Sequence, residues 1–93
     1  MSYRLAFKES ALKEWRKLGE TVREQFKAKL KERLEHPHVP AAKLRGAGSR
    51  YKIKLRASGY RLVYEVSEEA LVLTVVAVGK RDGGDVYGKA TRR

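Results

Sequence analysis

Near the N-terminus, the pattern of hydrophobic residues changes from a strand period to a helix period. Tyr3, Leu5 and Phe7 alternate with shorter or polar side chains, which predicts a first strand. Beyond them the apolar residues recur at helical spacing, with Leu12 and Trp15 on one side. The first forty residues therefore begin with a strand followed by a helix.

A second helix is predicted to follow Gly19 and to run to about Glu35. Thr21 with Glu24 three positions later has the pattern of a capping box, and two prolines follow the helix and end it. One narrow apolar stripe recurs at every fourth position: Val22, Phe26, Leu30 and Leu34. The two helices are predicted to form a hairpin that packs on an apolar surface.

After residue 49 the period becomes two, which predicts three strands. Ser58-Gly59 marks a turn between the first two, and Ser67-Glu68-Glu69 marks the next. Residues 71–78 are apolar on both faces, so we expect that strand to be central, with Gly79 closing it. One face of the first hairpin is apolar: Tyr51, Ile53, Leu55, Tyr60, Leu62 and Tyr64.

The order β-α-α-β-β-β predicts an α+β fold. We expect residues 1–93 to form one domain, an antiparallel four-stranded sheet with the N-terminal helical hairpin on one face. A short C-terminal helix can follow the last strand. The pattern does not show where the first strand joins the sheet.

The net charge of +11, from 22 Lys and Arg against 11 Asp and Glu, predicts a polyanionic partner. RNA, DNA, an anionic membrane and an acidic protein segment all qualify, and a basic surface that serves only solubility is the alternative. The absence of cysteine excludes disulfides and thiolate chemistry and fits the cytoplasm. No signal peptide or membrane-spanning run is present, so we expect no membrane role.

Four basic residues, Lys52, Lys54, Arg56 and Arg61, are predicted to lie together on the sheet face opposite the helices. Like charges across strands repel, and no acidic residue lies between Arg50 and Arg61 to relieve them. Such a cluster indicates an anionic ligand. The alternative is a solvated pair of edge strands whose lysines deter aggregation.

The available side chains restrict the chemistry at this face. His36 and His38 lie beside prolines on the helical side, so we expect no catalytic role for them and no metal site. Phosphodiester cleavage would have to use Lys, Arg and Tyr. A lysine whose pKa is lowered by neighbouring cations can act as a base, and arginines can stabilise a phosphorane. Arg81 and Tyr87 follow the neighbouring strand, and Tyr87 either contacts a base or packs in the core.

Across nearly its whole length the sequence resembles the RelE toxins of bacterial toxin–antitoxin pairs. The matching segments are ALKEWRKL (11–18), KLRG (43–46), YKIKLR (51–56), SGYRLVY (58–64), VGKR (78–81) and VY (86–87). The resemblance implies a RelE/ParE-like fold and a ribosome-dependent endoribonuclease (an mRNA interferase). It cleaves mRNA in the ribosomal A site by attack of the RNA 2′-hydroxyl, without a metal or cofactor, and so inhibits translation.

The resemblance also implies roles for five residues. Lys54 is the base and Lys52 supports it electrostatically, while Arg61 stabilises the transition state. Arg81 assists the leaving group, for which we favour charge stabilisation because Arg seldom gives up a proton. Tyr87 stacks on the mRNA and orients it. The expected RNA-binding residues are Lys13, Arg45, Arg50, Arg56 and Lys80.

The partners that the resemblance implies are a RelB-like antitoxin, the small ribosomal subunit with its mRNA, and DNA only through the antitoxin complex. Two other functions stay open: a non-catalytic, ParE-like gyrase inhibitor and a plain basic nucleic-acid-binding module. The Gly83-Gly84 pair departs from the family's pattern, and residues 88–93 contain few apolar side chains. We therefore expect a last helix to dock poorly and the placement of Tyr87 to be affected.

Overall fold

A four-stranded sheet and three α-helices make up the structure, a computed structural model that describes residues 2–46, 48–80 and 86–92. The predicted α+β class and element order are confirmed, and the short C-terminal helix is present. In chain order the elements are β1 (Arg4–Phe7), α1 (Glu9–Arg16), α2 (Glu20–Glu35), β2 (Arg50–Leu55), β3 (Tyr60–Ser67), β4 (Val72–Lys80) and α3 (Val86–Arg92).

The sheet is mixed, so the prediction of an antiparallel sheet was wrong for one strand pair. Its order is β1-β4-β3-β2, and β1 pairs with β4 in parallel while the two hairpins are antiparallel. The Tyr3 amide donates to the Leu34 carbonyl at 2.9 Å, so α2 ends beside the start of β1. Since β3 is antiparallel to both β2 and β4, the strands β1, β2 and β4 all run in the same direction.

The strand β4 is apolar on both faces and contains a β-bulge. Val63 is paired with Ala77 but Tyr64 with Val75, which leaves Val76 as the extra residue in β4. The bulge turns Val76 and Ala77 toward one face, whereas Val75 faces the helical hairpin. The strand is central, as predicted, but it continues through Gly79 to Lys80 instead of ending at Gly79.

The main core lies between the sheet and the helical hairpin. Phe26 and Leu30 of the predicted α2 stripe are buried, at 0% and 2% exposed, and the other two stripe residues pack partly against the same cluster. The capping box was wrong, because α2 begins at Glu20 with Gly19 as its N-cap, and no side chain caps it. The predicted apolar face of β2 and β3 joins this core: Tyr51, Ile53, Leu55, Tyr60, Leu62 and Tyr64.

The other face of the sheet is partly covered by α3, although we expected a last helix to dock poorly. Val86 and Ala90 are 3% and 1% exposed and pack against Val63, Val76 and Ala77. These two small residues supply the apolar contact between the helix and the strands. The glycine pair at 83–84 lies outside the described residues. The uncovered part of this face, beyond the start of α3, is where Lys54 and Arg61 lie.

Candidate ribonuclease site

The hairpin between β2 and β3 sets the geometry of the basic cluster. Its turn ends at Gly59, whose φ of +77° is a left-handed conformation that glycine adopts without steric cost. This turn fixes a register in which Lys54 is directly opposite Arg61 and Lys52 is opposite Val63. All four side chains point away from the helical hairpin, because residues two apart on a strand share a face.

Positive charge is concentrated around Lys54, which is exposed on β2. The pKa of its ammonium is lowered from the ordinary lysine value, first by the charge of Lys52 and then by desolvation. Arg61 and Arg56 lower it further, and so does a hydrogen bond with Lys52. A lowered pKa increases the fraction of neutral amine near neutral pH, which is the form that can accept a proton.

Arg61 connects the cluster to α3. Its Nη1 atom donates to the Tyr87 hydroxyl at 3.0 Å, and its guanidinium carbon lies 5.7 Å from the centre of the Tyr87 ring. Tyr87 is half-buried and packs beside the apolar cluster under α3, and its contact with an RNA base stays a prediction. On β4 the residue opposite Arg61 is Gly79, which contributes no side chain there. The space beside Arg61 therefore stays open.

Two concave surfaces flank Lys54. A cavity of about 270 Å³ lies on the side of the hairpin turn, and a groove of about 470 Å³ separates the end of β2 from α2. Both have cations in their walls, which suits a polyanion. The cavity is lined by Lys54, Leu55, Arg56, Gly59, Tyr60 and Arg61, and the groove by Gln25, Ala28, Lys29, Lys54, Leu55, Arg56 and Ala57.

The structure brings together four of the five residues that we expected at the catalytic site: Lys52, Lys54, Arg61 and Tyr87. The fifth, Arg81, lies outside the described residues. A step of the expected chemistry that depends on position 81 therefore rests on the sequence.

The residues expected to bind RNA are more dispersed. Arg56 is exposed in the turn beside Lys54, and the Lys80 ammonium lies 6.0 Å from the centre of the Tyr60 ring at the end of β4. Lys13 is exposed on α1, in the helical layer, and Arg45 is exposed in the connector before β2. These two do not line the cavity or the groove at Lys54.

Arg50 occupies a different kind of position from the exposed Arg45 and Arg56. Its Nε atom donates to Glu65 Oε2 at 2.9 Å, and its Nη1 atom donates to the carbonyl of Ala90 in α3. The side chain is only 17% exposed. Sequence reasoning missed this pairing, although the hairpin register that opposes Lys54 and Arg61 also opposes Arg50 and Glu65.

The histidines lie at the other end of the sheet. His38 contacts the Tyr51 hydroxyl at 2.9 Å and the Glu68 carboxylate, which also accepts a 2.8 Å bond from Tyr3. The Tyr3 hydroxyl and then His38 lower the pKa of Glu68. This cluster joins the N-terminus, the connector and the β3–β4 turn. In the described part of the chain, no group of three or more His, Asp or Glu residues is arranged to hold a metal ion.

Comparisons with known proteins agree on the family. The model for the ParE toxin of type II toxin–antitoxin systems matches residues 5–83. The mRNA interferase toxin RelE of Escherichia coli K12 is 60% identical over 93 residues, which is 100% of this chain and 98% of that protein. The mRNA interferase RelE of Shigella flexneri matches equally well.

Solved structures agree with these relatives. A mutant E. coli toxin RelE in the free state is 59% identical, with a TM-score of 0.91 over 100% of this chain and 98% of the other. The toxin in the intact E. coli RelBE toxin–antitoxin complex is 63% identical, with a TM-score of 0.83 over 85% of this chain and 96% of the other. This chain therefore belongs to the ParE/RelE family of type II toxins.

Proposed function

We propose that this protein is the toxin of a type II toxin–antitoxin system and an endoribonuclease that cleaves mRNA in the ribosomal A site. One observation carries the proposal. On the sheet face away from the helical hairpin, Lys54, whose pKa is lowered, lies directly opposite Arg61. That arrangement supplies a base and a phosphate-binding group side by side. The full-length similarity to RelE mRNA interferases supports the same activity.

The reaction uses the nucleophile that RNA provides. The neutral amine of Lys54 accepts the proton of a 2′-hydroxyl, and the 2′-oxygen attacks the adjacent phosphorus. The bond from phosphorus to the 5′-oxygen of the next nucleotide breaks, and that oxygen takes a proton from a water molecule to become a 5′-hydroxyl. The hydroxide left by that water accepts the proton that Lys54 holds. The other product carries a 2′,3′-cyclic phosphate. Arg61 donates to the phosphorane oxygens, and Arg81 stabilises charge at the leaving oxygen.

The remaining residues position the RNA. Lys52 keeps the pKa of Lys54 low. Tyr87 presents an aromatic ring beside Arg61 on which an unpaired base can stack. Exposed cations around the site, on the helical layer and in the connector before β2 bind the RNA backbone of mRNA and ribosome: Lys13, Arg45, Arg56 and Lys80. We leave Arg50 out of this set, because its donors are engaged with Glu65 and α3.

A RelB-like antitoxin is the proposed protein partner. Solved complexes of E. coli RelE with its antitoxin RelB have toxin chains similar to this one. A net charge of +11 favours an acidic antitoxin segment, and the protein reaches DNA only through that complex. The proposed site of action is the cytoplasm, where ribosomes are. Among the described residues, no helix has the length and apolar character needed to span a membrane.

The ParE name of the matching family model makes gyrase inhibition the second candidate. The test incubates the purified protein with mRNA-programmed ribosomes, with the same mRNA free in solution, and with gyrase plus DNA. We expect cleavage on ribosomes, with a 5′-hydroxyl and a cyclic phosphate at the new ends, and little cleavage of free mRNA. Trapped gyrase–DNA complexes without cleavage would support the second candidate. Binding to RNA without cleavage would leave only a basic binding module.

A further inference from the structure

The helix that carries Tyr87 is short, and this makes its attachment important. Helix α3 spans Val86–Arg92, and isolated helices of that length are not stable in water. It keeps its form because Val86 and Ala90 pack on the sheet. Both residues are small, so the apolar contact is limited, and additional interactions are needed to hold the helix in one position.

Two arginines of the open face supply these interactions, one near each end of α3. Arg61 donates to the hydroxyl of Tyr87, in the first turn, and Arg50 donates to the carbonyl of Ala90, in the last turn. Carbonyl groups in the last turn of a helix have no intrahelical partner and carry partial negative charge, so a guanidinium is a suitable donor. Arg50 therefore both satisfies a free carbonyl and complements the helix dipole.

Glu65 fixes the orientation of Arg50. The two residues are cross-strand partners in the β2–β3 register, and the Arg50 Nε to Glu65 Oε2 distance is 2.9 Å. The guanidinium binds Glu65 through one nitrogen and α3 through another, whereas a lysine would have to reach both acceptors from a single nitrogen. With 17% of its side chain exposed, Arg50 is poorly available to an RNA phosphate.

We propose that Arg50, held by Glu65, is a positioning residue that fixes α3 on the sheet and thereby keeps Tyr87 against Arg61 at the cleavage site. The inference rests on the proposed ribonuclease function only for its effect on the reaction. The attachment of α3 itself can be measured without RNA. Arg50 thus acts on catalysis through Tyr87 and does not touch the substrate.

The first test is hydrogen exchange of the amides of residues 86–92 in the full chain. Loss of a charge-assisted hydrogen bond predicts about tenfold faster exchange in Arg50→Ala. In Glu65→Gln we expect the amides of α3 to exchange at a rate between those of wild type and Arg50→Ala. Arg50→Lys should recover part of the wild-type protection of these amides. The matched control is Arg4→Ala, which removes one positive charge from the exposed edge strand β1 and leaves α3 contacts intact. Wild-type exchange in Arg50→Ala would overturn the proposal.

The second test is a double-mutant cycle on ribosome-dependent cleavage, with near-wild-type circular dichroism required of each variant. If Arg50 acts through Tyr87, Arg50→Ala lowers kcat, and adding it to Tyr87→Ala lowers kcat no further. Independent, multiplicative losses would mean that Arg50 contacts RNA directly and would overturn the positioning role. If Tyr87→Ala cleaves normally, the proposed role of Tyr87 fails, and the exchange measurement still decides the attachment of α3.

Discussion

Replacing Arg61 by alanine removes the guanidinium that faces Lys54 and contacts Tyr87. One of its five N–H donors is used by the Tyr87 hydroxyl, at 3.0 Å, so others remain for a phosphate. Removing a donor that is preorganised for developing negative charge costs about 2.7–4 kcal/mol of transition-state stabilisation. We therefore expect Arg61→Ala to lower the cleavage rate roughly 10²–10³-fold.

The assay is single-turnover cleavage of mRNA on programmed ribosomes, with the toxin in excess. Varying the toxin concentration separates binding from the chemical step. Arg61→Lys keeps the charge but loses the planar fork, so its rate should lie between those of wild type and Arg61→Ala. Arg56→Ala is the matched comparison, because Arg56 is exposed in the adjacent turn. It should raise the toxin concentration needed for half-maximal rate and change the maximal rate little.

One result would refute this reasoning: at saturating toxin, Arg61→Ala could cleave at the wild-type maximal rate. In that case Arg61 would contribute to binding alone, and the pair that it forms with Lys54 would not be the catalytic arrangement.

Three further predictions concern pKa and stability. Lys52→Met removes the charge that lowers the Lys54 pKa most, so the ascending limb of the pH–rate profile should move to higher pH; an unmoved limb would contradict the base assignment. Leu62 is 0% exposed, and Leu62→Ala should lower the free energy of unfolding by about 2–5 kcal/mol in urea titrations. The pKa of Glu68 is lowered in the fold by Tyr3 and His38, so its stabilising effect is present above the ordinary glutamate pKa and lost as pH falls through the lowered value. The Tm of Glu68→Gln should therefore lie below that of wild type at neutral pH and converge with it in acid; a constant difference would exclude this linkage.

The cluster on the hairpin could be predicted because it depends on local rules. A period of two separates Lys52 and Lys54 from the apolar face, and a short turn fixes which residues oppose them. The same turn also opposes Arg50 to Glu65, so that pair was predictable in principle. Glu65 lies beyond Arg61 in the sequence, outside the basic segment itself.

Other features depend on contacts between distant segments. The parallel pairing of β1 with β4 joins distant parts of the chain, and the apolar pattern of β1 does not encode it. The bulge at Val76 depends on how β3 pairs with β4. An apolar run in β4 is compatible with the pairing on either side of this shift, so the sequence does not predict the bulge. Docking of α3 through Ala90 depends on packing over Val63 and Ala77. The small number of apolar residues at positions 88–93 does not reveal this contact. Gly19 caps α2 in place of Thr21, since helix boundaries are set partly by packing.

The most direct test of the account is the single-turnover cleavage rate of Lys54→Met on mRNA-programmed ribosomes at saturating toxin. The proposal gives Lys54 the task of accepting the 2′-hydroxyl proton, and general-base catalysis contributes about 10²–10⁴-fold. We expect a loss of that size in the maximal rate, with ribosome binding retained. A maximal rate equal to that of wild type would contradict the assignment of this basic cluster as the ribonuclease site.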